Sequence, residues 1–238
     1  MSNDASAPNQ PDREAALQQV SYCPPSEWVK LHAYSTELPR KDGEPITRLL
    51  LDEQHDLSSQ STFFRIVQRL ENMDAVQNLS QWRLSFEPNA QSVQLHHVRV
   101  HRDGTQIEFA KEGAAHLLQR EENLDSFILH GNVTLLILLE DIRVGDLLEC
   151  SYTIHDQPQL LSNHYSRFCR PAGDFQTGRF HYSVRCLPGE KPSWRSQPED
   201  WQPVIEKDGD SQRIAWTLEN LDRDKLEPNT PADLLPER

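Results

Sequence analysis

The chain has 238 residues, enough for one large domain or two small ones, and its formal net charge is −13. A surface this acidic repels phosphate groups, so nucleic acid and anionic membranes are poor partners. Only 9 residues are glycine, which argues against glycine-rich phosphate loops and collagen-like repeats.

The two ends of the chain differ in composition from its middle. Residues 1–19 are polar, which predicts a disordered lead-in, and they lack the apolar stretch of a secretory signal peptide. No run elsewhere approaches the ~20 apolar residues of a membrane span, so we expect a cytoplasmic protein whose four cysteines are thiols. Residues 221–238 are charged and contain three prolines, which predicts a linker toward a further domain.

Between the two ends, apolar residues recur with the two-residue period of β-strands. The run over residues 132–140 is almost continuously apolar, which predicts a strand at the centre of a sheet or one covered on both faces. In the strand that follows it, Glu149, Ser151 and Thr153 are expected to face outward. The predicted strands, in chain order, are residues 46–57, 62–70, 81–86, 93–101, 107–109, 132–140, 147–154, 165–169, 179–187 and 212–218.

These strands predict an all-β fold in which two sheets pack as a β-sandwich over residues 20–220, with at most one or two short helices. Residues 111–126 are the least β-like part of this domain. Their alanines and leucines have helical spacing, so either a short helix or an irregular crossover fits there.

Five segments, in the right order along the chain, resemble an uncharacterised bacterial β-domain family. That family lies immediately before transglutaminase-like, papain-type cysteine-enzyme cores. The Gly145-Asp146 turn alone would be a weak signal, but it lies within an ordered set of five; the segments are residues 20–29, 79–88, 95–104, 118–124 and 131–154. The resemblance implies an immunoglobulin-like sandwich that acts as a non-catalytic accessory domain. It also implies a transglutaminase-like catalytic domain in the same polypeptide as partner.

Two other functions fit the residues. Trp194 and Trp201 lie in a proline-rich, loop-like stretch, where they either cap one end of the sandwich or, if exposed, stack on a sugar or a peptide. The alternative function is therefore a stand-alone module that binds protein or carbohydrate through these side chains or a sheet edge. The third function is a thiol hydrolase that uses Cys169 and a nearby histidine such as His164.

We predict no catalytic residue, no cofactor and no metal site in this chain. A nucleophilic cysteine needs a histidine or a helix N-terminus to form the thiolate, and none of the four cysteines begins a predicted helix. His97 and His101 share one strand face, but Arg99 lies between them and a zinc site needs three or four ligands. His96, next to His97, is expected to point to the opposite face. The adjacent acidic residues Glu121-Glu122 and Glu140-Asp141 are explained by a solvated acidic surface.

Overall fold

The computed structural model describes residues 13–41, 43–118, 132–157, 165–169, 171, 173, 175–190, 192–196 and 199–223. These residues form two helices and twelve strands, which confirms the predicted all-β fold. Neither helix is long and apolar enough to cross a membrane. The elements are α1 (Arg13–Gln18), β1 (Val20–Tyr22), β2 (Ile46–Asp56), β3 (Ser61–Leu70), α2 (Met73–Leu79), β4 (Gln81–Phe86), β5 (Gln91–Arg102), β6 (Thr105–Glu108), β7 (Ala115–Leu118), β8 (Val133–Leu138), β9 (Leu147–Asp156), β10 (Thr177–Cys186), β11 (Val204–Asp208) and β12 (Ser211–Leu221).

Nine strands form the larger sheet, in the order β1-β5-β9-β3-β2-β10-β12-β11, with β6 also paired to β5. The predicted hairpin at residues 46–70 is confirmed as the antiparallel pair β2–β3. Asp103 and Gly104 both have positive φ, at 49° and 76°, as the tight turn between β5 and β6 requires. The pairs β1–β5 and β2–β10 are parallel, and the second of them joins the two halves of the sheet.

The smaller sheet has the order β4-β8-β7, so β8 lies at its centre. The apolar run over residues 132–140 predicted a strand either at the centre of a sheet or covered on both faces, and the central position is the one observed. Strand β4 alternates strictly between exposed and buried residues, with its apolar side chains directed inward. They meet apolar side chains of β5 and β9 from the larger sheet in a common core, which includes Trp82, Leu84, Phe86, Val98, Val100, Leu135, Ile137, Leu148 and Cys150. Two packed sheets around one core are thus established, while the immunoglobulin-like topology stays a prediction.

The opposite face of the larger sheet, which we call the polar face, carries mostly polar side chains together with Leu50, Phe63 and Val67, and much of it is buried. Residues 23–41, which we call the strap, run across this face without regular secondary structure. Arginines of the sheet donate to strap carbonyls: Arg65 to His32 at 2.9 Å and Arg69 to Leu38 at 2.8 Å. A Cβ added to Gly178 would lie 3.2 Å from Leu38 of the strap and 3.0 Å from the Leu49 carbonyl oxygen, so glycine permits this close approach.

The residues of β9 that were expected to face outward are not solvated, because the strap covers this face of the sheet. Glu149, Ser151 and Thr153 do lie on the face opposite the core, but all three are buried instead of solvated. Strand alternation reports which residues share a face, and it cannot report that a distant segment covers that face.

Several local predictions also differ from the structure. Residues 165–169 form no strand. Tyr165 and Cys169 contact the larger sheet from a segment that pairs with no described strand, and this contact gives the two-residue alternation that a strand would show. Part of the predicted helix or crossover is strand β7, whose Leu117 is buried against the core, and residues 119–126 lie outside the described part. Helix α1 precedes the predicted start of the domain and buries Ala16 in the core. Edge strand β11 was missed because four of its five residues are exposed, so no alternation marks it.

Candidate functional site

An apolar cluster lies on β2, β10 and β12, on the face of the larger sheet that also carries the core. We call it the outer cluster and define it by Phe180, Tyr182 and Val184. Two segments without strand pairing lie over it: residues 165–169, and the described loop residues 192–196 together with Trp201.

Trp194 and Trp201, the predicted binding residues, both lie at this cluster and both contact Trp216 of β12. The ring of Trp194 packs edge-on against that of Trp216, with centroids 6.0 Å apart. Trp201 contributes its carbonyl oxygen, which accepts a hydrogen bond from the Trp216 indole nitrogen at 3.1 Å. Trp201 is half-buried, so Trp194 is the more accessible of the two.

Aromatic side chains continue from Trp194 across the cluster to Tyr165. The ring centroids of Tyr182 and Trp216 are 5.8 Å apart. The Tyr182 hydroxyl forms a hydrogen bond of 2.7 Å with the Tyr165 hydroxyl. Burial raises the pKa of Tyr165 to about 12, so this hydroxyl stays protonated at neutral pH. Three aromatic side chains of these covering segments are exposed and define what we call the aromatic surface: Tyr165 (42% exposed), Phe168 (68%) and Trp194 (42%).

Tyr165, Tyr182 and Trp216 come from three separate regions of the chain, so no local sequence pattern connects them with the two predicted tryptophans. Beneath them lies a polar contact. The Glu53 carboxylate accepts from Arg167 at 3.1 Å and lies 2.8 Å from His55 Nε2. Arg167 belongs to the same covering segment as Tyr165, so this ion pair fixes the segment to β2.

The four cysteines are separate thiols. Cys150 lies in the core and Cys186 at the end of β10, both buried, and burial raises the pKa of the Cys150 thiol far above its ordinary value. Cys23 in the strap and Cys169 beside the outer cluster are half-buried. His164, the suggested partner of Cys169, lies outside the described residues.

These positions predict which thiols react in the folded protein. With 5,5′-dithiobis(2-nitrobenzoic acid) at neutral pH, we expect Cys23 and Cys169 to react at least about 100-fold faster than Cys150 and Cys186. All four should react after unfolding in guanidinium. Cys169→Ser should remove one fast-reacting thiol per chain, whereas Cys150→Ser should remove one slow-reacting thiol. Fast labelling of Cys150 in the native protein would contradict the structure.

The histidines of β5 are held by hydrogen bonds. His97 lies 2.9 Å from the Glu108 carboxylate, and His101 lies 2.7 Å from that of Glu149. The expectation that His96 points away from His97 was wrong, because a bulge at this point of β5 shifts the register. His96 therefore also lies on the strap face, between the Cys23 carbonyl at 2.7 Å and the Thr153 hydroxyl at 2.8 Å.

A second group of polar side chains lies beneath the strap. His32 of the strap, Asp52 of β2 and His181 of β10 each bring one potential ligand atom within 4.8 Å of the other two. The rings of His32 and His181 are stacked, with centroids 3.7 Å apart. Burial raises the pKa of Asp52 to about 7 and lowers that of His181 to about 3. No sequence motif predicted this group, because its members are 20 and 129 residues apart.

Comparison with known proteins found a family whose model matches most of this chain. The model of a domain of unknown function with a solved structure, DUF3857, matches residues 58–224. The crystal structure of a "putative protease" from Parabacteroides distasonis has a similar fold, with a TM-score of 0.64 at 15% identity. The similarity covers 79% of this chain but 38% of the Parabacteroides chain, so this chain spans well under half of that protein's length.

A second solved structure, native yeast LTA4 hydrolase, aligns over 73% of this chain and 28% of its own at 10% identity. Its TM-score of 0.33 is too low to support an argument about fold. No curated protein matches the sequence.

Proposed function

This chain belongs to the DUF3857 family, and from that premise we propose that it is a non-catalytic accessory β-sandwich domain of a transglutaminase-like cysteine enzyme. Its role in this proposal is to dock on the enzyme core and to shape access to the core's active site. The five segments that resemble domains preceding such cores support the proposal. So does the size of the Parabacteroides protein, of which 62% lies outside the aligned part (100% − 38%).

The observation that carries the proposal is the aromatic surface. Tyr165, Phe168 and Trp194 are all large apolar side chains that are more than two-fifths exposed. Aromatic residues are enriched in protein interfaces, and a tryptophan that is packed on one side and open on the other is a typical binding hot spot. The ring of Trp194 is held in place by Trp216, so little conformational entropy is lost when a partner covers it.

The positions of the cysteines support a non-catalytic role. Cys150 is buried in the apolar core, where a thiol is inert, and Cys186 is fully buried at the end of β10. Cys169 packs against the outer cluster, at the side of the segment that faces the sheet. In the proposal the nucleophile therefore belongs to the enzyme core.

The experiment measures binding between this domain and the transglutaminase-like core encoded with it, each purified separately, by isothermal titration calorimetry. We expect Trp194→Ala to weaken binding by about 30-fold or more, the effect of losing a hot-spot tryptophan. The matched control is Met73→Ala in helix α2, which removes an exposed apolar side chain (59%) away from the aromatic surface and should leave the affinity unchanged.

The same titration separates the alternative functions. If the core does not bind, or if Met73→Ala weakens binding as much as Trp194→Ala, the docking proposal is wrong. Quenching of Trp194 fluorescence by an oligosaccharide or an extended peptide, without binding of the core, would instead identify a stand-alone binding module. Hydrolysis of a thioester or amide by the isolated domain, abolished by Cys169→Ser, would identify a thiol hydrolase.

A further inference from the structure

The buried polar group beneath the strap has the composition of a metal site. Asp52 is 0% exposed and His181 is 3% exposed, and His32 is half-buried above them. Asp52 and His181 are direct cross-strand partners in the parallel pair β2–β10, so the sheet itself sets them side by side. Two imidazoles and one carboxylate are the donor set of many zinc sites, whose fourth ligand is water or another group.

Each of the two imidazoles has one buried nitrogen without a hydrogen-bond partner among the residues that the structure describes. These atoms are Nε2 of His32 and Nε2 of His181. Buried polar atoms nearly always have a partner, because desolvation without one is costly. A lone pair directed at a metal ion would satisfy each of these atoms.

Neighbouring groups hold the three residues in place through hydrogen bonds, as groups around the ligands of a metal site do. His181 Nδ1 lies 3.0 Å from the Thr217 hydroxyl, and a proton donated there leaves the lone pair on Nε2. Both carboxylate oxygens of Asp52 lie about 3 Å from the Gln54 amide nitrogen. The backbone at His32 is fixed because Arg65 donates to its carbonyl oxygen at 2.9 Å.

The positive side chains nearby pair with carboxylates other than Asp52. Arg213 pairs with Asp208 at 2.8 Å, Arg65 with Glu149 at 2.8 Å and Arg179 with Glu219 at 2.7 Å. Lys30 shares Asp208 at 3.4 Å. None of these four side chains forms its ion pair with Asp52 itself.

From this geometry we infer that His32, Asp52 and His181 bind one divalent transition-metal ion of the zinc class, which fastens the strap to the sheet. Zinc–ligand bonds of about 2.0–2.2 Å place tetrahedral donors roughly 3.3–3.6 Å apart. One potential ligand atom from each of the three residues already lies within 4.8 Å of the other two. Completing the site requires shifts of up to about 1.5 Å. The two stacked rings must also turn so that their in-plane lone pairs meet at the ion. The ion joins the strap and the neighbouring strand β2 to β10, which lies more than 100 residues further along the chain.

The test uses the full chain without an affinity tag, stripped with chelator and titrated with Co²⁺ and Zn²⁺. We expect one equivalent of Co²⁺ to produce the intense visible bands of a tetrahedral site, and Zn²⁺ to displace it. His32→Ala should raise the dissociation constant on the order of 100-fold or more. The matched control is His97→Ala, which removes a histidine beside a carboxylate on the same sheet face and should change the constant less than twofold.

Two further measurements keep the inference testable. Asp52→Asn preserves side-chain size and should abolish the tetrahedral spectrum even if His32→Ala fails to fold. Zn²⁺ should also slow tryptic cleavage after Lys30 of the strap in the wild-type chain and leave it unchanged in His32→Ala. The inference is overturned if the wild-type chain shows no tetrahedral spectrum, or if His32→Ala and Asp52→Asn bind Co²⁺ as tightly as the wild type. None of these readouts depends on the enzyme core, so they stand apart from the docking experiment.

Discussion

Glu149→Gln is expected to lower the free energy of unfolding by about 3–5 kcal/mol, the usual cost of removing one partner from a buried ion pair. The Glu149 carboxylate is 1% exposed and accepts from Arg65 at 2.8 Å and from Arg99 at 2.9 Å. His101 adds a third contact at 2.7 Å. Glutamine keeps the size of the side chain but leaves two guanidinium groups beneath the strap without their counter-charge. Urea denaturation followed by tryptophan fluorescence measures the loss.

The control for this change is Glu219→Gln, the same substitution in an ion pair at the surface. Glu219 accepts from Arg179 at 2.7 Å, but its side chain is 48% exposed. Water and salt screen such a pair, so the expected cost is at most about 1 kcal/mol. Equal losses in the two variants would mean that the buried network around Glu149 contributes nothing beyond an ordinary surface contact.

The same carboxylate gives the protein a predictable response to acid. Burial alone would raise the pKa of Glu149, but the hydrogen bond from Arg99, the charge of Arg65 and the bond from His101 outweigh it and lower the pKa to about 2 from 4.5. Since the folded pKa lies below the unfolded one, the stabilisation is present above about pH 4.5 and is lost as the pH falls toward 2. Glu149→Gln should therefore unfold with a flatter dependence on pH between about 5 and 2.

Arg213→Met is expected to destabilise the domain by a similar amount, about 3–5 kcal/mol. Arg213 is 2% exposed and its guanidinium donates to Asp208 at 2.8 Å, to Gln54 at 3.1 Å and to Ser183 at 3.0 Å. It also donates to the carbonyl oxygen of Trp28 in the strap. Methionine fills the space of the stem but satisfies none of these acceptors.

The strap should respond locally to the loss of Arg213. Amide hydrogen exchange of strap residues near Trp28 is expected to accelerate more than exchange in β8 of the smaller sheet, which the strap does not cover. Arg179→Met serves as the comparison, because Arg179 also donates to a strap carbonyl but is about one-third exposed. Its expected cost is at most about 1 kcal/mol. If exchange accelerates uniformly over both sheets in Arg213→Met, the arginine stabilises the fold as a whole and not the strap contact.

The strands of the core could be predicted because one of their faces is buried by apolar side chains. Trp82, Leu84 and Phe86 of β4 show this most clearly, since every second residue faces the other sheet. Trp194 and Trp201 could be singled out as candidate binding residues because they lie in a proline-rich, loop-like stretch. Tyr182 and Trp216, which lie in the cluster beneath them, belong to strands. An aromatic residue in a strand does not reveal from the sequence which segment covers it.

The polar face could not be predicted, because its partners are far apart in the sequence. Arg213 and Trp28 are separated by 185 residues, and their contact joins a side chain to a backbone carbonyl. A carbonyl group occurs at every residue, so no residue type marks the acceptor. The group of His32, Asp52 and His181 could not be predicted for a related reason: its members are 20 and 129 residues apart, with no metal-ligand spacing to mark them.

The strap also constrains the order in which the native contacts form during synthesis. Synthesis proceeds from the N-terminus, so residues 23–41 leave the ribosome well before β10 and β12 exist. Contacts within the β2–β3 hairpin can form early, whereas the strap cannot complete its hydrogen bonds until Arg213 of β12 has been made. Closing a loop of this length is slow compared with forming a local hairpin. The strap, although it is made early, is therefore among the last segments to reach its final place, and the polar face of the sheet stays open to solvent until it does.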